Sequence, residues 1–239
     1  MKRFLPFVLI LLVALAAVAG GRAVYRSKKA SLAAAIPQPA PVAGESVETG
    51  AKPPHVHGRE EEGEVVIEEF GDFQCPPCRG MAEALDKLQA EYRPRLLVVF
   101  RQFPLLMHQH AVPAAKAAEA AGSQNRFWEM HHMLYENQAE WSAAPEPQAL
   151  FVSYAERLKL DLPRYKADLT NERLRARLLA DQARGKSLGV TGTPTLFVND
   201  ERVPANELTP DGLHRAIEAA LSGKKPIFPP ANEAKPKAP

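Results

Sequence analysis

The chain has 239 residues and a formal net charge of +2, with 46% hydrophobic and 24% charged residues. That is globular composition, which excludes a wholly disordered or fibrous chain, and the near balance of charge gives nucleic acid no electrostatic reason to bind. Its two cysteines, Cys75 and Cys78, are too few for a disulfide scaffold and too close together to staple a long loop.

Lys2 and Arg3 precede an apolar run from Phe4 to Gly21, the arrangement of an export signal. At 18 residues the run falls between a signal-peptide core and the roughly 20 residues that span a bilayer. Residues 1–29 therefore predict either a signal peptide, with a small-residue cleavage site at Ala17-Val18-Ala19, or an uncleaved membrane anchor. The Ala/Pro-rich stretch 30–58, containing Pro37, Pro39, Pro41, Pro53 and Pro54, reads as an extended spacer and favours the anchor. Against this, Arg22, Arg26, Lys28 and Lys29 outnumber the basic residues before the run, contrary to the positive-inside rule for an exported C-terminal side.

The folded unit is expected over 59–223. Glu64 to Phe70, EVVIEEF, is β-branched and bounded by glycines, so it predicts a strand. After Cys75-Pro76-Pro77-Cys78, the apolar residues Met81, Leu85 and Leu88 form a helical stripe that starts at the cysteines. The segment RLLVVFRQF, residues 95–103, predicts a strand buried on both faces, completing a parallel βαβ unit. Helical patterns then fill an insertion over about 105–188. Thr195 to Asn199 returns to a strand, followed by a hairpin turn and, after Thr209 and Pro210 as cap and first helical residue, a last helix with Leu213, Ile217 and Leu221 on one face. Residues 224–239, rich in proline, read as a disordered tail. The fold class is α/β, with a helical subdomain inserted between βαβ and ββα.

A thiol at a helix start faces the positive end of the helix dipole and free N–H groups, which favour the thiolate. Pro76 and Pro77 suit the first turn but carry no N–H, so within the turn only Cys78 can donate to the Cys75 sulfur. Half of a zinc site is the competing reading of CxxC, but no second CxxC or H-x₃₋₅-H follows, and no metal is expected. An inert short-loop disulfide is a further alternative. The aromatic cluster Phe127, Trp128 and Tyr135, with His131 and His132, reads as core.

A strand ending in an acid and Phe, CPPC opening a helix, and a later Gly192-Thr193-Pro194-Thr195 entering a strand resemble the thioredoxin superfamily. With the helical insertion, Phe103-Pro104-Leu105 and Phe127-Trp128-Glu129-Met130-His131, the chain resembles the DsbA-like thiol-disulfide oxidoreductases, including membrane-tethered ones. That resemblance implies a redox-active Cys75–Cys78 pair in the cell envelope and no bound cofactor. It implies a cis Thr193–Pro194 bond beside the disulfide whose backbone, with Pro76 and Pro77, meets an extended substrate peptide. It also implies a buried acid six residues before the first cysteine, Glu69, able to exchange a proton with Cys78; a solvated Glu69 is the alternative. Exported cysteine-containing proteins would be the substrates, and a quinone-linked membrane protein of the DsbB or VKOR type the regenerating partner. The family often carries His where this chain has Pro77, which lowers the expected oxidising power. The same residues would serve a reductase or isomerase, or a peptide-binding chaperone without catalysis.

Overall fold

The computed structural model describes residues 55–58 and 64–228; residues 1–29, expected to be an export signal or anchor, nearly all of the expected spacer and the end of the expected tail lie outside them. Among the described residues no helix is long and apolar enough to cross a membrane.

Five strands form one sheet in the order β1-β3-β2-β4-β5: β1 Val56–His57, β2 Val65–Gly71, β3 Leu96–Gln102, β4 Thr195–Val198 and β5 Glu201–Arg202. β2 and β3 run parallel in register Ile67↔Val98, joined by helix α1, Pro76–Glu91, as the βαβ pattern predicts. The helix stops at Tyr92 because Pro94 follows and disfavours helical geometry in the residue before it. Six helices then make the inserted block: α2 Ala111–Gly122, α3 Phe127–Glu136, α4 Gln138–Ala143, α5 Gln148–Arg157, α6 Leu162–Asp168 and α7 Glu172–Ser187. Asp161 and Asn171 cap α6 and α7 by accepting from Arg164 N–H and Arg173 N–H, each at 2.9 Å.

β4 pairs antiparallel with β2, and a two-residue turn at Asn199 and Asp200 leads into β5. Both turn residues have positive φ, 47° and 66°, which Asn and Asp tolerate better than other side chains and which suits the twist of a tight hairpin. The last helix, α8 Pro210–Leu221, begins as expected: Thr209 Oγ1 accepts from Gly212 N–H at 3.1 Å and Pro210 spends no donor.

Alternation divides the sheet into two faces. Val65 and Ile67 of β2 bury against Met81, Leu85 and Leu88 of α1 and Leu213 and Ile217 of α8. On the other face Phe70 meets Phe103 and Phe197, and α7 approaches closely at Gly185, where a Cβ would lie 2.7 Å from the Phe103 ring. The helical block has its own core, including Phe127, Met130, Trp141, Phe151 and Tyr165, which runs on to Phe73, Cys75 and Cys78.

Two boundaries differ from expectation. The fold begins before residue 59, since β1 lies in the segment assigned to the spacer and pairs with β3 in register Val56↔Val99. Its neighbours are distant in sequence: Trp128 Nε1 donates to Val56 O at 3.1 Å, and His55 stacks on Phe127 with ring centroids 3.5 Å apart. At the other end, Phe228 packs against the core under α8 and Lys225 pairs with Glu201, so the start of the tail is docked.

Candidate active site

Cys75 occupies the cap position of α1 in extended conformation, and Pro76 and Pro77 fill the first two helical positions, exposed to solvent. The turn is held from both sides. Cys75 N–H donates to Asp72 O at 3.0 Å and Cys78 N–H to Cys75 O at 3.1 Å, while Gln138 of α4 donates through Nε2 to Phe73 O and Cys75 O at 2.7 and 3.0 Å. Cys75 is less open than a residue at a helix start suggests, at 5% exposure, and Cys78 is fully buried.

The two thiols are not equivalent. Donation from the Cys78 thiol, opposed by burial and reinforced by the Thr193 side chain and the Cys78 N–H, brings Cys75 down to about 6. Cys78 goes the other way: burial, the proton it shares with Cys75 and the charges of Glu69 and Cys75 push it far above the ordinary thiol range. Near neutral pH the pair therefore holds one proton, on Cys78, and one negative charge, on Cys75.

Thr193–Pro194 is cis, and the Thr193 carbonyl lies 3.3 Å from Cys75 Sγ, from which it accepts when Cys75 is protonated. Thr193 Oγ1 is buried without another partner, which leaves its hydrogen for the Cys75 sulfur. Glu69 lies on the β2 face shared with Val65 and Ile67; it is 1% exposed and its Oε1 has no hydrogen-bond partner. Burial, followed by the charges of Cys75 and Asp86, pushes Glu69 up to about 8, so it carries a proton at neutral pH. The structure thus brings Cys75, Cys78, Thr193, Pro194 and Glu69 together around the start of α1, with Pro76 and Pro77 forming the exposed lip.

Several contributors were not legible as such. Asp72, with its side chain fully buried, accepts from Gln74 N–H, Leu105 N–H and His108 Nδ1, each at 2.8 Å, and pins the loop after β3 to the CPPC turn. The contact to Gln74, two residues on, is a local Asx turn that the sequence Asp-Phe-Gln allows; the other two are tertiary. Gln138 and Tyr135 come from the helical block with no sequence signal tying them to the cysteines. His131, expected to be an ordinary core residue, is buried with both ring nitrogens unpartnered among Phe73, Phe100 and Trp128, and burial pulls its pKa down to about 3.

A family model described as Thioredoxin matches residues 51–219. Among curated proteins, the Na(+)/H(+) antiporter NhaA 1 of Salinispora arenicola (strain CNS-205) is 37% identical over 172 residues, covering 72% of this chain and 25% of that protein. The chain thus spans about a quarter of the length of the curated relatives it matches. Three solved structures share the fold. BdbD from Bacillus subtilis superposes with a TM-score of 0.60 at 24% identity, covering 70% of this chain and 92% of that one. A thioredoxin-like oxidoreductase from Silicibacter pomeroyi DSS-3 gives 0.55 at 27% identity, covering 69% and 92%. DsbA2 of Pseudomonas aeruginosa gives 0.52 at 24% identity, covering 62% and 82%.

Proposed function

Since the chain belongs to the thioredoxin family and carries the DsbA-like fold, we propose that it is a thiol-disulfide oxidoreductase of the cell envelope that introduces disulfide bonds into exported proteins. The observation that carries this reading is the asymmetry of the thiols: Cys75 is stabilised as a thiolate while Cys78 is held protonated. Stabilising the reduced pair makes its disulfide a stronger oxidant.

In the oxidised protein a substrate thiolate attacks Cys75 Sγ. A new sulfur–sulfur bond forms to the substrate, the Cys75–Cys78 bond breaks, and Cys78 leaves as a thiolate that takes the proton of Glu69. The substrate's second thiolate then attacks its own sulfur in the mixed disulfide, forming the substrate disulfide and releasing Cys75 as the low-pKa thiolate. The Thr193 backbone and the Pro76-Pro77 lip hold the extended peptide beside Cys75. A quinone-linked membrane protein of the DsbB or VKOR type reoxidises the pair, and tethering through residues 1–29, on the inner membrane, raises the effective concentration of the domain beside that partner.

One feature favours the opposite direction of electron flow. Pro77 supplies neither an N–H nor an imidazolium to the Cys75 thiolate, which limits its stabilisation. Equilibrating the protein with glutathione redox buffers separates the directions. A potential near or above roughly −150 mV is expected for the oxidase, whereas one near roughly −250 mV or below would establish a reductase instead.

A further inference from the structure

Under this function Glu69 gives up and regains a proton in every cycle, yet it is 1% exposed and its Oε1 has no hydrogen-bond partner. Proton transfer needs acids and bases in reach, so some polar path must connect the carboxyl to solvent. The geometry around α1 supplies one. Cys78, Ala82 and Asp86 follow at intervals of four and lie along one stripe of the helix. Ala82 contributes only a methyl group, and over it a cleft of about 170 Å³ opens between α1 and α3, lined by Ala82, Asp86, His132 and Tyr135 and by the charged residues Arg79, Glu83 and Glu136.

At this cleft Asp86 Oδ2 and His132 Nε2 are 3.0 Å apart, with side chains 39% and 38% exposed, so the pair touches both water and the interior. Tyr135 lines the same cleft, packs in one buried cluster with Ala82 and Cys78, and donates through its hydroxyl to Asp72 O at 3.4 Å, so it joins the cleft to the turn that carries the cysteines. We propose that Asp86 and His132 exchange the Glu69 proton with solvent through this cleft, as a proton relay for the buried acid. The proposal rests on the role given to Glu69 above.

The steps balance. When Cys78 leaves and takes the Glu69 proton, the His132 imidazolium returns a proton to the Glu69 carboxylate through solvent entering the cleft, and His132 is recharged from bulk water. In reoxidation the proton travels outward by the same path. Asp86 orients the ring and favours its charged form: the hydrogen bond from His132 to Asp86, against the penalty of burial, raises the His132 pKa above its ordinary value. Glu69 is faced by Cys75, Cys78 and Asp86 of α1 and by Tyr135 of α3. His132 is faced by Asp86 of α1, by His57 of β1 and by His131, Glu129 and Glu136 of its own helix.

The test is a stopped-flow measurement, from pH 5 to 9, of the reaction of the oxidised full-length chain with dithiothreitol. His132→Ala and Asp86→Asn are each expected to slow the reaction about tenfold near pH 7, below the roughly 10²- to 10⁴-fold of a directly positioned acid. Added imidazole is expected to restore His132→Ala, and both losses are expected to vanish in a Glu69→Gln background. If Glu69→Gln is slow but His132→Ala and Asp86→Asn react at the native rate, the relay is wrong and the role of Glu69 stands. If Glu69→Gln itself keeps the native rate and pH profile, the role of Glu69 falls and the relay with it. Slowing that imidazole does not relieve, with a lowered melting midpoint, would reduce the pair to a structural contact and overturn the relay.

Discussion

Glu68 and Glu69 are neighbours in β2, both buried, at 7% and 1% exposure, and they face opposite sides of the sheet. Glu68 accepts from Arg101 Nε at 2.6 Å and from Arg184 Nε and Nη2 at 2.7 Å each, and Arg101 also reaches Asp181 at 3.0 Å. Burial pulls the pKa of Glu68 up, but its hydrogen bonds to Arg184 and Arg101 outweigh that and hold it below the usual carboxylate range. Glu69, with no cation facing it, is pushed up to about 8. Burial on both faces thus produces a permanent anion that ties α7 to the sheet on one side and a proton reservoir beside the cysteines on the other. The partner, rather than burial, decides whether a buried acid is structural or chemical.

The largest expected effect at neutral pH is on the structural side. Arg101→Met removes buried charged hydrogen bonds from Glu68 and Asp181 together, each worth about 1.5–3 kcal/mol, and should lower unfolding stability by about 3–5 kcal/mol in denaturant titrations, with Arg184 and Arg177 left to hold the two carboxylates. The folded fraction should keep its exchange activity. An unchanged stability would show that the two faces are not organised differently.

Glu69→Gln should have the opposite sign. The folded pKa of Glu69 lies above its unfolded value, so its favourable contribution is complete below about pH 4.5 and is lost as pH rises through about 8. Replacing it by Gln should therefore stabilise the protein by roughly 4–5 kcal/mol near pH 9 and hardly at all near pH 4, measured as the difference between the two stability profiles. Parallel profiles would mean that Glu69 is ionised throughout.

A smaller effect sharpens the chemical side. Thiolate absorbance of the reduced protein should titrate with a midpoint near 6, and Cys78→Ala should move that midpoint up, because donation from the Cys78 thiol is the largest favourable influence on Cys75. By linkage, the stability that Cys75 lends the reduced form is present above the unfolded thiol range and fades as pH falls through about 6. A midpoint unmoved by Cys78→Ala would assign the effect to the helix start alone. Least of all, Arg95→Ala breaks the exposed pair with Glu64 and should leave the melting midpoint within experimental scatter, since water already solvates both charges.

Much of this was legible in the sequence, because it depends on near neighbours. The alternation of β2, the stripe of α1 starting at CPPC, the Asn199-Asp200 turn and the Thr209-Pro210 cap are set by residues within a few positions of one another. Alternation also places Glu68 and Glu69 on opposite faces, and the missing N–H groups of Pro76 and Pro77 leave Cys78 N–H as the first-turn donor nearest Cys75, where it bonds the Cys75 carbonyl and favours the thiolate. What each acid meets on its face was not legible. Arg184 lies 116 positions from Glu68, Gln138 lies 63 from Cys75, and His132 lies 46 from Asp86. β1 is too short to show a period and exists only because β3 offers it an edge. Periodicity and capping report forces that act along the chain. The charge state of Glu69, the enclosure of Cys75 and the cleft beside Asp86 depend on dielectric and contact across the packed core, which only the tertiary structure decides.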